Sequence, residues 1–243
     1  MLILSFLYLP PAFAADHRNL EEGFPTRIED AYPIAARALE FQAGASYERE
    51  GASEKDAGEF EPELKWGFLK NAHIGIGTPL KFREDGDTEN YGDLAVEGLY
   101  NFNVESQSLP ALAFKSSFVF STGVDSQGVD YELLGILTKG WGQNRFHFNG
   151  GYKRNTGRKA GERADLYTFG LGFDRPIDLD HLFVADFFVD RSEKADGDPL
   201  FNFVLGVRKQ LNPWSLVAVG LGSGFGAPEA VDFKATLAYQ LSF

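Results

Sequence analysis

The chain has 243 residues, with 35 Asp and Glu against 23 Lys and Arg, a formal net charge of -12 at pH 7, and no cysteine. Lack of cysteine excludes disulfides, CxxC redox chemistry and Cys-ligated metals, and so acidic a chain is a poor binder of nucleic acid. After the N-terminus no window holds the roughly 18 consecutive apolar residues that a membrane helix needs, so a membrane location requires strands closed into a barrel.

Met1 to Ala14, MLILSFLYLPPAFA, is an apolar run that ends in the small-x-small pattern of a secretory cleavage site before Ala15, although no Lys or Arg precedes it. This signal peptide is expected to be removed on export. Residues 15–36 include LEEGFPTRIEDAYPIAA, with Pro25 and Pro33, and show neither strand alternation nor a helical stripe. They are expected to form an extended periplasmic lead-in that enters or occludes the mouth of a barrel built from residues 37–243.

From Arg37 onward apolar and polar residues alternate in segments separated by Gly, Asn, Asp and Pro clusters, the pattern of a meander barrel with one face toward lipid and one toward water. The first segment sets Leu39, Phe41, Ala43, Ala45 and Tyr47 against Glu40, Gln42, Ser46 and Glu48. The second sets Leu64, Trp66 and Phe68 against Glu63 and Lys65, and the third Ile74, Ile76, Leu80 and Phe82 against His73 and Lys81. The fourth sets Leu94, Val96, Tyr100 and Phe102 against Asp93 and Glu97, and the fifth Leu112, Phe114, Phe118 and Phe120 against Lys115 and Ser117. Tyr131, Leu133 and Leu137 then oppose Asp130, Glu132 and Thr138, and Phe146, Phe148 and Tyr152 oppose Arg145, His147, Asn149 and Lys153. The eighth segment alternates cleanly from Tyr167 to Phe173. The ninth, Asp180 to Asp190, is apolar on both faces, and Asp186 and Asp190 alone suggest its inner side.

The tenth segment has Phe201, Phe203, Leu205 and Val207 against Asn202, Arg208 and Gln210. The eleventh, Trp214 to Gly224, is Gly-rich, which is expected to ease strand curvature. Val231 to Phe243 closes the series, with Asp232 and Lys234 on its polar side and an aromatic at its end. The expectation is an all-β, transmembrane, antiparallel up-and-down barrel of about twelve strands. With the C-terminus in the periplasm, the interface aromatics Trp66, Trp141, Trp214 and Phe243 all fall near that one membrane face.

Several stretches, PELKWGF at 62–68, IGTPL at 76–80, GLYNFN at 98–103 and EDAYPI at 29–34, resemble the outer-membrane proteins of the MetA-pathway of phenol degradation family. The resemblance covers nearly the whole mature chain, from Phe24 to Phe243. It implies a barrel that moves small molecules across the outer membrane, and it transfers no catalytic or binding residue.

The predicted lumen-lining residues are Glu63, Lys65, His73, Lys81, Asp93, Glu97, Lys115, Glu132, Arg145, His147, Asp186, Arg208, Asp232 and Lys234. The leading expectation is a passive channel for a small, apolar or aromatic solute in the outer membrane of a Gram-negative bacterium. Its partners are then membrane lipid, lipopolysaccharide, the solute and, through the last strand, the barrel-assembly machinery. No cofactor or metal is expected. The alternative is a structural or surface-interaction barrel with a closed lumen. A membrane-embedded hydrolase, using His73 or His147 with Ser117, lacks any specific motif.

Overall fold

Among the described residues the alternating segments form thirteen strands in one antiparallel sheet. The structure, a computed structural model, describes residues 15–50, 56–83, 92–124 and 127–243; the expected signal peptide, Met1 to Ala14, lies outside the described residues. The strands are β1 (Leu39–Glu50), β2 (Asp56–Leu69), β3 (Ala72–Gly77), β4 (Leu80–Arg83), β5 (Leu94–Asn103), β6 (Ala111–Phe120) and β7 (Val129–Trp141). They continue as β8 (Asn144–Arg154), β9 (Asp165–Pro176), β10 (His181–Asp190), β11 (Leu200–Asn212), β12 (Ser215–Phe225) and β13 (Val231–Ser242).

The third predicted segment is broken at Thr78-Pro79, where proline cannot donate to the ladder, and its halves β3 and β4 both pair with β2. The thirteen strands therefore make twelve staves. Closure comes from β1, which pairs with β2 on one side and β13 on the other, setting Phe41 opposite Leu241 and Gln42 opposite Gln240. The β2–β3, β7–β8 and β11–β12 turns span only a few residues at one end of the barrel. That end is called here the short-turn end, and the other the long-loop end.

Side-chain exposure separates two solvents. Phe41, Phe148, Phe203 and Leu237 are 39%, 41%, 40% and 56% exposed on the outer wall, whereas Arg208 is 0% exposed and the Glu97 side chain 12%. An apolar belt of this kind faces hydrocarbon. At Leu171, outward at the middle of β9, arginine should cost about 2–4 kcal/mol, against about 0–1 kcal/mol for Val129→Arg at the rim. Urea unfolding in lipid vesicles checks the difference, and equal costs at the two depths would count against a membrane-facing wall.

The lumen holds the chain's own N-terminal segment. It enters at the short-turn end, where the Ala15 N–H donates to the Pro213 carbonyl, runs inward to Gly23–Arg27, and returns to begin β1. Leu20, Phe24, Ile28, Ala31 and Ile34 are all buried inside the barrel. This is deeper than a lead-in resting partly in the mouth, and the reason lies in the wall. Leu20 and Ile28 pack on Leu182, Val184 and Phe188, and Phe24 packs on Leu216, Ala218 and Ala238.

Two puzzles of the pattern are thereby explained. β10 is apolar on both faces because its outer face meets lipid and its inner face meets the plug. The glycines of β11 and β12 do more than ease curvature: a Cβ at Gly206 would sit 2.4 Å from Pro25 Cγ, and one at Gly220 2.8 Å from Pro25 Cβ. The return to the wall is sharp. Arg37 takes a φ of 73°, a region rarely used by residues other than glycine, and its N–H donates to the Gly67 carbonyl, so that β1 starts at Leu39 and not Arg37.

Candidate functional site

Having no regular structure, the plug must satisfy its backbone by other means: partly within itself, where the Gly23, Phe24 and Asp30 N–H groups donate to the Thr26, Glu21 and Leu20 carbonyls, and partly on lumen side chains. The Glu29 N–H donates to Asn149 Oδ1 at 2.8 Å, and the same amide returns a bond to the Glu29 carbonyl at 2.9 Å. The Ala31 N–H donates to Thr138 Oγ1, and Asn101 donates to the Ala31 carbonyl. The Ile34 N–H donates to His73 Nδ1, and the Arg27 N–H to Asp186 at 2.6 Å. Arg208 and Arg145 donate to the Asn19 and Arg18 carbonyls.

Ion pairs reinforce this lattice. Lys65 Nζ lies 3.2 Å from Glu21, 3.3 Å from Glu63 and 3.1 Å from Glu97. Lys115 Nζ lies 2.9 Å from Glu29, 2.9 Å from Glu97 and 3.3 Å from Glu22. The Arg27 guanidinium forks onto Asp190 at 2.6 and 3.0 Å and covers the Phe188 ring at 4.4 Å. Two wall ammonium groups thus each bridge wall and plug carboxylates, an arrangement in which the buried carboxylates Glu21 and Glu29 of the plug are compensated only while the plug is seated.

The remaining predicted lumen residues take the following places. Arg145 binds Asp174 and Asp30, and His147 stands between Thr138, at 3.0 Å, and Asp174, at 2.8 Å. Thr138, His147 and Asp174 are buried beneath the plug and do not line the cavity, so this relay positions the plug and offers no nucleophile to a substrate. Lys81 and Lys234 pair with Glu59 and Glu48 toward the long-loop end. Asp93 is buried there and accepts the Gly123 N–H, and Asp232 is exposed at the outer end of β13. Trp66, Trp141, Trp214 and Phe243 are exposed at the short-turn end.

Sequence reasoning missed the charges of the plug itself, Glu21, Glu22, Arg27, Glu29 and Asp30, because an aperiodic segment gives no face on which to place them. Asp174 was within reach: it continues the inner parity of Gly170 and Gly172 along β9. At the short-turn end Glu105 receives Lys139 Nζ at 2.7 Å. Burial works to raise that carboxyl, but the Lys139 ammonium and the Gly140 N–H hold it below the usual carboxylate range.

Between the plug tip and the long-loop end lies a cavity of about 350 Å³, floored by Glu22–Arg27 and walled by β1, β2, β5–β8 and β13. Its ammonium groups Lys65 and Lys115 are saturated by carboxylates, and Lys81 and Lys234 are paired at its outer edge, whereas Glu61, Glu132 and Lys153 line the cavity and make no ion pair among the described residues. The chemistry this allows is transient binding of a small solute in a charged vestibule whose inner end is stopped.

No protein-family model matches the chain, and no curated protein matches it. Solved structures do. An outer-membrane channel from Pseudomonas putida F1 superposes with a TM-score of 0.69 at 11% identity, covering 92% of this chain and 100% of the other. The NanC porin gives 0.59 at 11% identity, covering 84% and 98%. The CymD monoaromatic hydrocarbon channel gives 0.53 at 9% identity, covering 86% and 89%. Shared fold and outward apolar belt together make this chain a membrane-spanning β-barrel with the fold of these outer-membrane channels.

Proposed function

We propose that this protein is an outer-membrane channel for a small solute, with the N-terminal segment as its gate. One observation carries the reading: the vestibule ends on a plug that is tied to the wall covalently only where it runs into β1, and is otherwise seated by ion pairs and hydrogen bonds. The short-turn end faces the periplasm, the long loops face outward, Met1 to Ala14 is the export signal, and the last strand engages the assembly machinery. Movement is diffusion down a gradient. A small aromatic solute agrees with the resemblance to the phenol-degradation family and with the fold shared with the CymD monoaromatic hydrocarbon channel. Glu61 and Glu132, which make no ion pair among the described residues, outnumber the one such cation of the vestibule, Lys153, and add a preference for a cationic group.

Planar-bilayer recording tests this. Wild-type protein should show small cation-preferring currents, and Glu61→Lys with Glu132→Lys should shift the permeability ratio toward anions several-fold. A conducting barrel with unchanged selectivity would remove the vestibule from the path. The second reading, a closed structural barrel, is favoured by the same plug, and an absence of both current and solute flux in vesicles would establish it.

A further inference from the structure

The outer wall at the long-loop end carries a feature that solute passage does not use. β7, β8 and β9 set Tyr131, Tyr152 and Tyr167 side by side, with ring centroids 6.1 and 5.6 Å apart. Strand parity turns all three outward, continuous with Phe118, Phe148 and Phe169 of the apolar belt. Arg154, on the same face, pairs with Asp165 at 2.6 Å, and Asp165 also accepts the Tyr152 hydroxyl at 2.6 Å. Just past β10, Arg191 bonds through its N–H to the Tyr167 carbonyl, and its guanidinium lies over the Tyr167 ring, 5.8 Å from the centroid. Arg191 makes no ion pair among the described residues. Arg158 and Lys159 stand exposed in the adjoining loop.

An acidic chain has here placed cations directly above a row of interfacial phenols. Tyrosines of this kind sit at the level where acyl chains give way to headgroups, with rings in the apolar zone and hydroxyls in the polar one. A guanidinium over such a ring is held at the level of the headgroups, and its fork geometry matches two phosphate oxygens. We propose that Tyr131, Tyr152, Tyr167, Arg154 and Arg191 form a binding site for the phosphorylated headgroup of lipopolysaccharide in the outer leaflet. The proposal takes the outward direction of the long loops from the proposed function and nothing else from it. The acyl chains lie along the belt below the tyrosines, Arg191 takes the phosphate, and Arg154, already shared with Asp165, supports it.

The test uses the full-length protein in detergent and bisphosphorylated lipid A as probe, with affinity read by native mass spectrometry. Arg191→Gln should weaken binding roughly tenfold, and Arg154→Gln with Arg191→Gln further, since each removes charge-assisted hydrogen bonds. Arg191→Lys should restore part of the loss. Dephosphorylated lipid A should bind the wild type as weakly as bisphosphorylated lipid A binds the double variant. Unchanged heat-modifiable migration of the variants shows that the barrel is intact, and their bilayer conductance should equal wild type because these residues face outward. Equal affinity of wild type and Arg191→Gln would overturn the proposal, as would equal binding of dephosphorylated lipid A or of phosphatidylglycerol. Loss of conductance in the wild type with lipid A binding retained would remove the channel and leave this site standing.

Discussion

Deleting residues 16–35 should raise single-channel conductance roughly tenfold, since a twelve-stave wall emptied of its filling lies between the packed small barrels and the open channels of larger ones. The deletion removes Glu21, Glu22, Glu29 and Asp30 and floods Lys65, Lys115 and Arg145 with water, so the wall loses partners but regains solvation. A locked version supplies the converse. The chain has no native cysteine, and Ala31 of the plug and Ala113 of β6 share one buried cluster. Replacing both with cysteine and oxidising should suppress openings, and reduction should restore them. A deletion variant that conducts no better than wild type would end the gating proposal.

The second large effect concerns Lys115. Replacing it with Met leaves the buried Glu29 without its ammonium partner and Glu97 with Lys65 and the His73 ring, while the exposed Glu22 turns to solvent. Removing one member of such a buried network costs about 3–5 kcal/mol, because the stranded charges stay desolvated. Two readouts follow. Urea unfolding should shift by that amount, and trypsin should reach Arg27, which is engaged with Asp190 in the wild type. Lys81→Met is the control: its partner Glu59 is 3.8 Å away and both side chains are substantially exposed, so the change should stay under about 1 kcal/mol. Equal destabilisation by the two substitutions would mean that the plug lattice contributes little.

The wall was legible in the sequence because its two faces meet different solvents, and alternation of residues such as Phe146, His147 and Phe148 writes that difference directly. β10 and β12 were not, since their inner faces meet Leu20, Ile28 and Pro25 instead of water. The path of the plug was hidden for a related reason. Its backbone groups bond to side chains far along the chain, as Glu29 does to Asn149, 120 residues away, and such pairings leave no local period. The residues of the vestibule were mostly within reach of parity, but their pairing with Glu21, Glu22 and Glu29 was not.

The plug's partners also bear on biogenesis. His17 meets Gln210 across 193 residues, and Asn19 meets Arg208 across 189, so the plug finds its seats on staves made long after it. Ordering the tail before the wall exists would sacrifice chain entropy with no contact in return. On that order of events the hoop closes while still hollow, and residues 15–36 tuck in behind it afterwards.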